Sequence, residues 1–385
     1  PYKVYKNDVT PFQREVATRF AALNEAAGLP GDWPIPAADR ARIRTEVAHQ
    51  FFKAEHGRDA TDARELAPTI AKNSRPKTTA VAGYDLTFSP VKSFSVMWAL
   101  ADPSTAAKLE QAHNQAVTDA LKFIEENAIF TREGTNGVRQ VNTRGLVATA
   151  FTHRDSRAGD PDLHTHVAIA NKVQTLEGKW LAIDGQPLHK MVVAASEFYN
   201  ARLEAHAHDM VGVRFSERPN PDARKRPVRE IVGIDTDLCQ HFSKRRASVE
   251  QRRNTLVAEF QRTHGRPPTP VETMQLAQQA TLETREAKHE PRTITEQREA
   301  WMRAAEGHQG SVEKVREMIR TAANPTAGSG VRADSKWFSQ TTERIVATME
   351  GARATWQDNH VVAEAWRHVK AADIPTDQQS YVASM

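Results

Sequence analysis

The chain has 385 residues, 39% hydrophobic and 26% charged, which is enough for one large domain with an appendage or for two domains. No run approaches the apolar length of a membrane span and nothing resembles a secretory leader, so membrane insertion is not expected. A formal net charge of +4 with a pI near 9.1 weakly favours a polyanionic partner, and the single cysteine, Cys239, excludes a disulfide framework and fits a reducing cytoplasm.

The chain opens at Pro1 rather than at an initiator methionine, which reads as a fragment or processed chain. Residues 1–10 lack periodicity but carry Tyr2 and Tyr5. Phe12, Val16, Phe20 and Leu23 share one face of a predicted helix that stops at Gly28-Leu29-Pro30. Pro36 opens a second helix bearing Ile43, Val47 and Phe51, which ends at His56-Gly57. A third, short helix starts near Thr61 and is expected to end or kink at Pro68. Residues 1–77 are therefore read as an N-terminal helical segment made of packing helices.

Thr78 to Phe88 is a predicted strand with Asp85 inside its apolar run. A carboxylate there is costly to bury without a partner. It is either a solvent-facing edge residue or a group that orients a ligand imidazole or accepts a proton. Ser89, Lys92 and Ser93 follow at a strand-to-helix turn and would suit a phosphate. Asp102 and Pro103 cap and open a long helix through about Asn127.

Gly145 to Phe151 is apolar and β-prone, and Val167 to Val173 is apolar again. The Gly and Pro cluster between them predicts a strand, a turn and a returning strand. Residues two apart on a strand share a face, so His164 and His166 point the same way, with Thr165 opposite. His153 ends the preceding strand and can close on the same point. Three imidazoles from an adjacent strand pair make a divalent-cation site with open coordination positions. The bland alternative is ordinary polar residues at a sheet end. His153, Asp155 and a later histidine would instead suit a mononuclear iron oxygenase, although the last histidine of such sites normally lies further along the chain.

Lys179 to Ile183 predicts one more strand, Leu188 to Val211 a helix, and Val213 to Ile234 a β-ribbon. The ribbon's basic, Pro-rich tip holds Arg224, Lys225 and Arg226, and a following helix carries Lys244, Arg245 and Arg246. Such clusters are either solvated faces or grips for nucleic-acid phosphates. Residues 78–324 are read as a core plus basic helices. After the Pro325 to Gly330 break, residues 325–385 are read as a separate helical appendage holding Trp337, Trp356 and Trp366. The expected class is α+β, a mainly antiparallel sheet of about five strands flanked by helices.

Three blocks carry a resemblance: Gly83-Tyr84-Asp85-Leu86-Thr87-Phe88-Ser89-Pro90-Val91-Lys92-Ser93, His153 followed by Asp160-Pro161-Asp162-Leu163-His164-Thr165-His166, and Phe242-Ser243-Lys244-Arg245. Together they resemble the MobF class of conjugative relaxases, three-histidine HUH nucleases, over roughly Thr78 to Pro291. The resemblance implies a palm-like sheet and site- and strand-specific nicking and rejoining of plasmid DNA at a transfer origin by tyrosine transesterification. It implies a divalent ion, Mg²⁺ or Mn²⁺ in use with Zn²⁺ able to bind, held by His153, His164 and His166 against the scissile phosphate. It places Asp85 beside the tyrosine and the metal, with Arg157 adding charge to the phosphate.

The implied partners are single-stranded origin DNA with an adjacent hairpin, and other relaxosome and transfer proteins; a cytoplasmic monomer is expected. Family members carry a tyrosine pair near the N-terminus after a short strand, whereas Tyr2 and Tyr5 are three apart and lack that strand. The expectation is that the nucleophilic segment lies upstream of Pro1 rather than that Tyr2 or Tyr5 attacks. A chain without it would act as an origin-binding module, and a helicase would follow Met385.

Overall fold

A computed structural model of the chain describes residues 10–74, 81–219, 226–287, 290, 292–324, 331–352, 354–374, 379 and 383. The chain divides after Val81 into two units.

The first unit is three helices, α1 (Pro11–Ala26), α2 (Ala37–His56) and α3 (Ala63–Ser74). Thr10 and Gln13 cap each other's backbone at the start of α1, with Pro11 in the first turn. Gly57 ends α2 in the left-handed conformation. Phe12, Val16, Ile43, Val47, Phe52 and Leu66 form the core of this unit. Of the two outcomes expected at Pro68, an end or a kink, the end does not occur: the third helix runs through it to Ser74. Asp62 Oδ1 accepts from the Arg64 and Glu65 backbone N–H groups and so fixes the helix start ahead of the proline.

The second unit begins with β1 (Gly83–Phe88), α4 (Lys92–Leu100), α5 (Pro103–Ala128), β2 (Phe130–Glu133), β3 (Arg139–Asn142), β4 (Ala148–Asp155) and β5 (Pro161–Ala170). It continues with β6 (Val173–Gln174), β7 (Trp180–Leu181), α6 (Gly185–Val211), β8 (Phe215–Glu217), β9 (Arg229–Ile231), α7 (Thr236–His241), α8 (Lys244–His264) and α9 (Pro270–Glu283). Last come α10 (Ile294–Gln309), α11 (Val312–Ala323), β10 (Val331–Arg332), α12 (Ser335–Ala352), α13 (Asp358–Val369) and β11 (Ala372–Asp373). The α+β class and the antiparallel sheet are as expected. Among the described residues the central sheet is three strands wide, ordered β1-β5-β4, and the remaining strands pair off as two-stranded ribbons.

β5 is the spine of that sheet. Pro161, Leu163, Thr165, Val167 and Ile169 are buried on one face, alternating with more exposed residues on the other. Behind the buried face lies α4, in which every residue from Ser93 to Leu100 is buried, as an all-round apolar helix must be. α5 and α6 pack beside it through small residues, among them Ala112, Ala116, Ala195 and Ala201.

The C-terminal helices depart from the expectation of a separate appendage. Trp366 of α13 packs edge-on against Phe198 of α6, with centroids 4.6 Å apart, and it is 3% exposed. Arg367 and Lys370 pair with Glu197, each at 2.8 Å. An amphipathic helix with a tryptophan on its apolar face cannot stay in water when a complementary helix is at hand, so α13 joins the same core. No helix among the described residues is long and apolar enough to cross a membrane.

Candidate metal centre

β4 and β5 pair antiparallel with His153 opposite His164 and Phe151 opposite His166, while Thr87 of β1 also faces His166. Directly paired residues share a face, so His153, His164 and His166 stand together on the side of the sheet away from α4. Their ring centroids are 5.1, 5.2 and 5.3 Å apart, and one nitrogen from each lies within 4.8 Å of the others. His153 is exposed and the other two are half-buried.

The nitrogens that face the centre are set by what lies behind them. His166 Nδ1 is 3.0 Å from both carboxylate oxygens of Asp85 and 3.1 Å from Thr87 Oγ1. His164 Nδ1 donates to the Asp162 carbonyl at 2.7 Å. With Nδ1 engaged on both rings, Nε2 carries the free lone pair. Three converging imidazole nitrogens, one of them on exposed His153, suit a divalent cation that keeps free positions.

Asp155, the carboxylate of the iron-site alternative, is committed elsewhere. Arg292 pairs with its Oδ2 at 3.1 Å and Gln297 donates to the same oxygen at 2.9 Å. It stands outside the three-histidine group. The pattern His-x-Asp on a strand puts the two side chains on one face, but a register shift between His153 and Asp155 turns the carboxylate toward α10.

The turn joining β4 to β5 is held from several directions. Asp160, 2% exposed, accepts from the Lys244 backbone N–H at the first turn of α8 at 2.9 Å, with the Lys244 ammonium at 3.6 Å. Burial raises its carboxyl above the ordinary range, against the pull of Lys244. Trp301 of α10 donates its indole N–H to the Gly159 carbonyl at 2.8 Å. These anchors were not legible beforehand, because Arg292, Gln297 and Trp301 come more than a hundred residues after the turn they hold.

The other predicted contacts divide sharply. Lys92 donates to the Pro161 carbonyl at 2.8 Å, and Arg157 donates to the Glu286 carbonyl at 3.1 Å. Ser93, expected at a phosphate, is 1% exposed: its hydroxyl donates to Glu230 at 2.6 Å and accepts from the Ile231 N–H at 2.8 Å. It locks β9 onto α4 and has no surface to offer a ligand. Arg245 donates to the Thr281 and Thr284 carbonyls and so ties α8 to α9. Arg246 forms an exposed pair with Glu250. Arg226 is paired with buried Glu364 at 2.9 Å, whereas Arg224 and Lys225 lie outside the described residues.

Tyr2 and Tyr5 also lie outside the described residues. Tyr84 faces away from the histidines, opposite buried Ile169. Tyr199 is 3% exposed on α6, where burial raises its hydroxyl well above the ordinary value. Neither can reach the cation side of the sheet.

Comparison with known proteins follows the same lines. The family model described as TrwC relaxase matches residues 12–308. The multifunctional conjugation protein TraI of Escherichia coli is 43% identical over 178 residues, 40% of this chain, and TraI of strain K12 is 41% identical over the same length. The chain spans about a tenth of these relatives, since the match covers 10% of each. A solved structure described as conjugative relaxase TrwC in complex with mutant oriT DNA is 26% identical, covering 79% of this chain and 98% of that one, with a TM-score of 0.49. A copper-bound TrwC structure with oriT DNA is 27% identical over 66% of this chain and 84% of that one, with a TM-score of 0.48. With a family model matched across most of its length, the chain belongs to the TrwC relaxase family, as a MobF-class conjugative relaxase domain.

Proposed function

We propose that this chain binds single-stranded DNA at a plasmid transfer origin and holds the scissile phosphate over His153, His164 and His166 for metal-dependent, strand-specific nicking and rejoining. The observation that carries the reading is the convergence of three ring nitrogens beside Asp85 on one face of the sheet. Mg²⁺ or Mn²⁺ bound there would draw charge from the non-bridging phosphate oxygens.

The residues of the chain do the rest. Asp85 accepts the Nδ1 proton of His166, orienting the ring and raising its basicity toward the ion. The Asp162 carbonyl does the same for His164. Asp85 is the carboxylate nearest the centre on β1 and is also suited to take a proton from an attacking hydroxyl. The candidates for that hydroxyl in this chain are Tyr2 and Tyr5, which lie outside the described residues. Domain roles follow: the first unit packs, residues 82–324 carry the site, and the C-terminal helices brace α6.

The test is a labelled origin oligonucleotide with Mn²⁺, read both by anisotropy and on a denaturing gel. The expected result is metal-dependent, origin-preferring binding that His164→Ala abolishes. A covalent band lost in the Tyr2→Phe/Tyr5→Phe double variant identifies those tyrosines as nucleophiles, and binding without a band identifies an origin-holding module. Binding indifferent to metal and sequence contradicts the reading.

A further inference from the structure

Directly behind the three histidines runs a chain of polar groups that metal ligation does not use. His113 of α5 is fully buried, and both of its ring nitrogens are engaged. Nδ1 lies 2.9 Å from the Tyr199 hydroxyl on α6, and Nε2 lies 2.8 Å from Thr165 Oγ1 on β5. Thr165 Oγ1 is in turn 3.1 Å from Thr152 Oγ1, its register partner on β4. The positions are telling. Thr165 is the residue between His164 and His166, and Thr152 is the residue before His153.

We propose that His113 is a positioning residue of the metal centre: acting through Thr165 and Thr152, it fixes the spacing at which the three imidazoles project from β4 and β5. The inference rests on the reading of His153, His164 and His166 as cation ligands.

Apolar contacts alone would leave this spacing loose. The rest of the buried face of β5 is Pro161, Leu163, Val167 and Ile169, and burial of that kind is non-directional. A hydrogen bond weakens steeply once bent, so it fixes the rotation of the strand as well as its depth. Imidazole ligands must meet an ion at about 2.0–2.1 Å, which leaves little tolerance for a strand that rolls or slides. A valine at position 165 would fill nearly the same volume, so the hydroxyl is there for its bonds.

The four groups also satisfy one another without any charge. With Tyr199 donating to Nδ1, the Nε2–H donates to Thr165 and Thr165 donates to Thr152; reversed, the same bonds run the other way. Either direction supplies one proton to each bond and keeps the ring neutral. Replacing Thr165 or Tyr199 leaves a ring nitrogen of buried His113 without its partner, and Thr165 lies on the strand that carries His164 and His166.

The test compares Mn²⁺ affinity by isothermal titration in wild type, Thr165→Val, Thr165→Ser and Tyr199→Phe, with circular dichroism reporting the fold. Thr165→Val is expected to weaken Mn²⁺ binding about tenfold, near the lower end for partners that orient ligands, while Thr165→Ser stays within about twofold of wild type. Tyr199→Phe leaves β5 untouched, so it gives the same information should Thr165→Val fail to fold, and a loss of about threefold or more is expected there. Wild-type affinity in every folded variant overturns the positioning role while leaving the metal reading intact. An equal loss in Thr165→Ser and Thr165→Val also overturns it, because the hydroxyl is then not the cause. Failure of the wild type itself to bind Mn²⁺ contradicts the underlying metal reading instead.

Discussion

Asp85 meets His166 with both oxygens, and that contact decides which nitrogen of the ring faces the centre. Asp85→Asn is expected to keep the fold and weaken metal binding by about 10–100-fold, because the amide no longer takes the Nδ1 proton with a charge behind it; a Mn²⁺ titration checks this. Asp155 makes the contrasting case. Asp155→Ala should leave Mn²⁺ binding in place and lower the melting temperature, since Arg292 loses its partner; an iron-triad site would lose its metal with the same change.

His113 gives the acid response a sign. Burial holds its pKa at about 4, below the ordinary 6.5, with the neighbouring His164 contributing in the same direction. Below pH 6.5 the unfolded chain takes up a proton that the folded chain refuses, so this contribution to stability is complete above 6.5 and lost as pH falls toward 4. The loss amounts to about 3 kcal/mol at most. Urea unfolding of the metal-free protein should show stability falling between pH 7 and 5, and the fall should be shallower in His113→Gln.

At the scale of elements, the histidine hairpin was legible because its information is local. The alternation that puts His164 and His166 on one face, the Gly and Pro turn, and the offset to His153 all lie within one short stretch. The same locality made Asp102, Pro103 and the start of α5 readable. What could not be read was anything that depends on a distant partner. Ser93 follows a strand at the start of a helix and so looks available to phosphate, yet Glu230 and Ile231 claim it from the ribbon. His113 sits among alanines on a helix face, with no local sign that Thr165 and Tyr199 meet it there. Ser93→Ala leaves the Ile231 N–H and the Glu230 carboxylate short of a partner, and it should cost about 1–3 kcal/mol in urea unfolding with metal affinity unchanged.

For the molecule as a whole, the docking of α13 on α6 means that the stability of the site's scaffold extends beyond the family-matched stretch. Trp366→Ala should destabilise the main unfolding transition by about 3–5 kcal/mol, the usual cost of emptying a buried tryptophan site. A free-standing appendage would leave that transition unmoved. Among the described residues of the basic clusters, Arg245 and Arg226 likewise have structural occupations that composition could not reveal. Arg245 and Arg226 are tied to carbonyls and to Glu364, so Arg245→Ala should act on stability more than on the salt dependence of DNA binding.

The most direct measurement is Mn²⁺ binding to wild type and to the His153→Ala/His164→Ala/His166→Ala variant, by isothermal titration on the metal-free protein. The expected result is one ion per chain in wild type and none in the variant, with the fold retained by circular dichroism. Undiminished binding in the folded variant would place the cation elsewhere and contradict a phosphate held over these three rings.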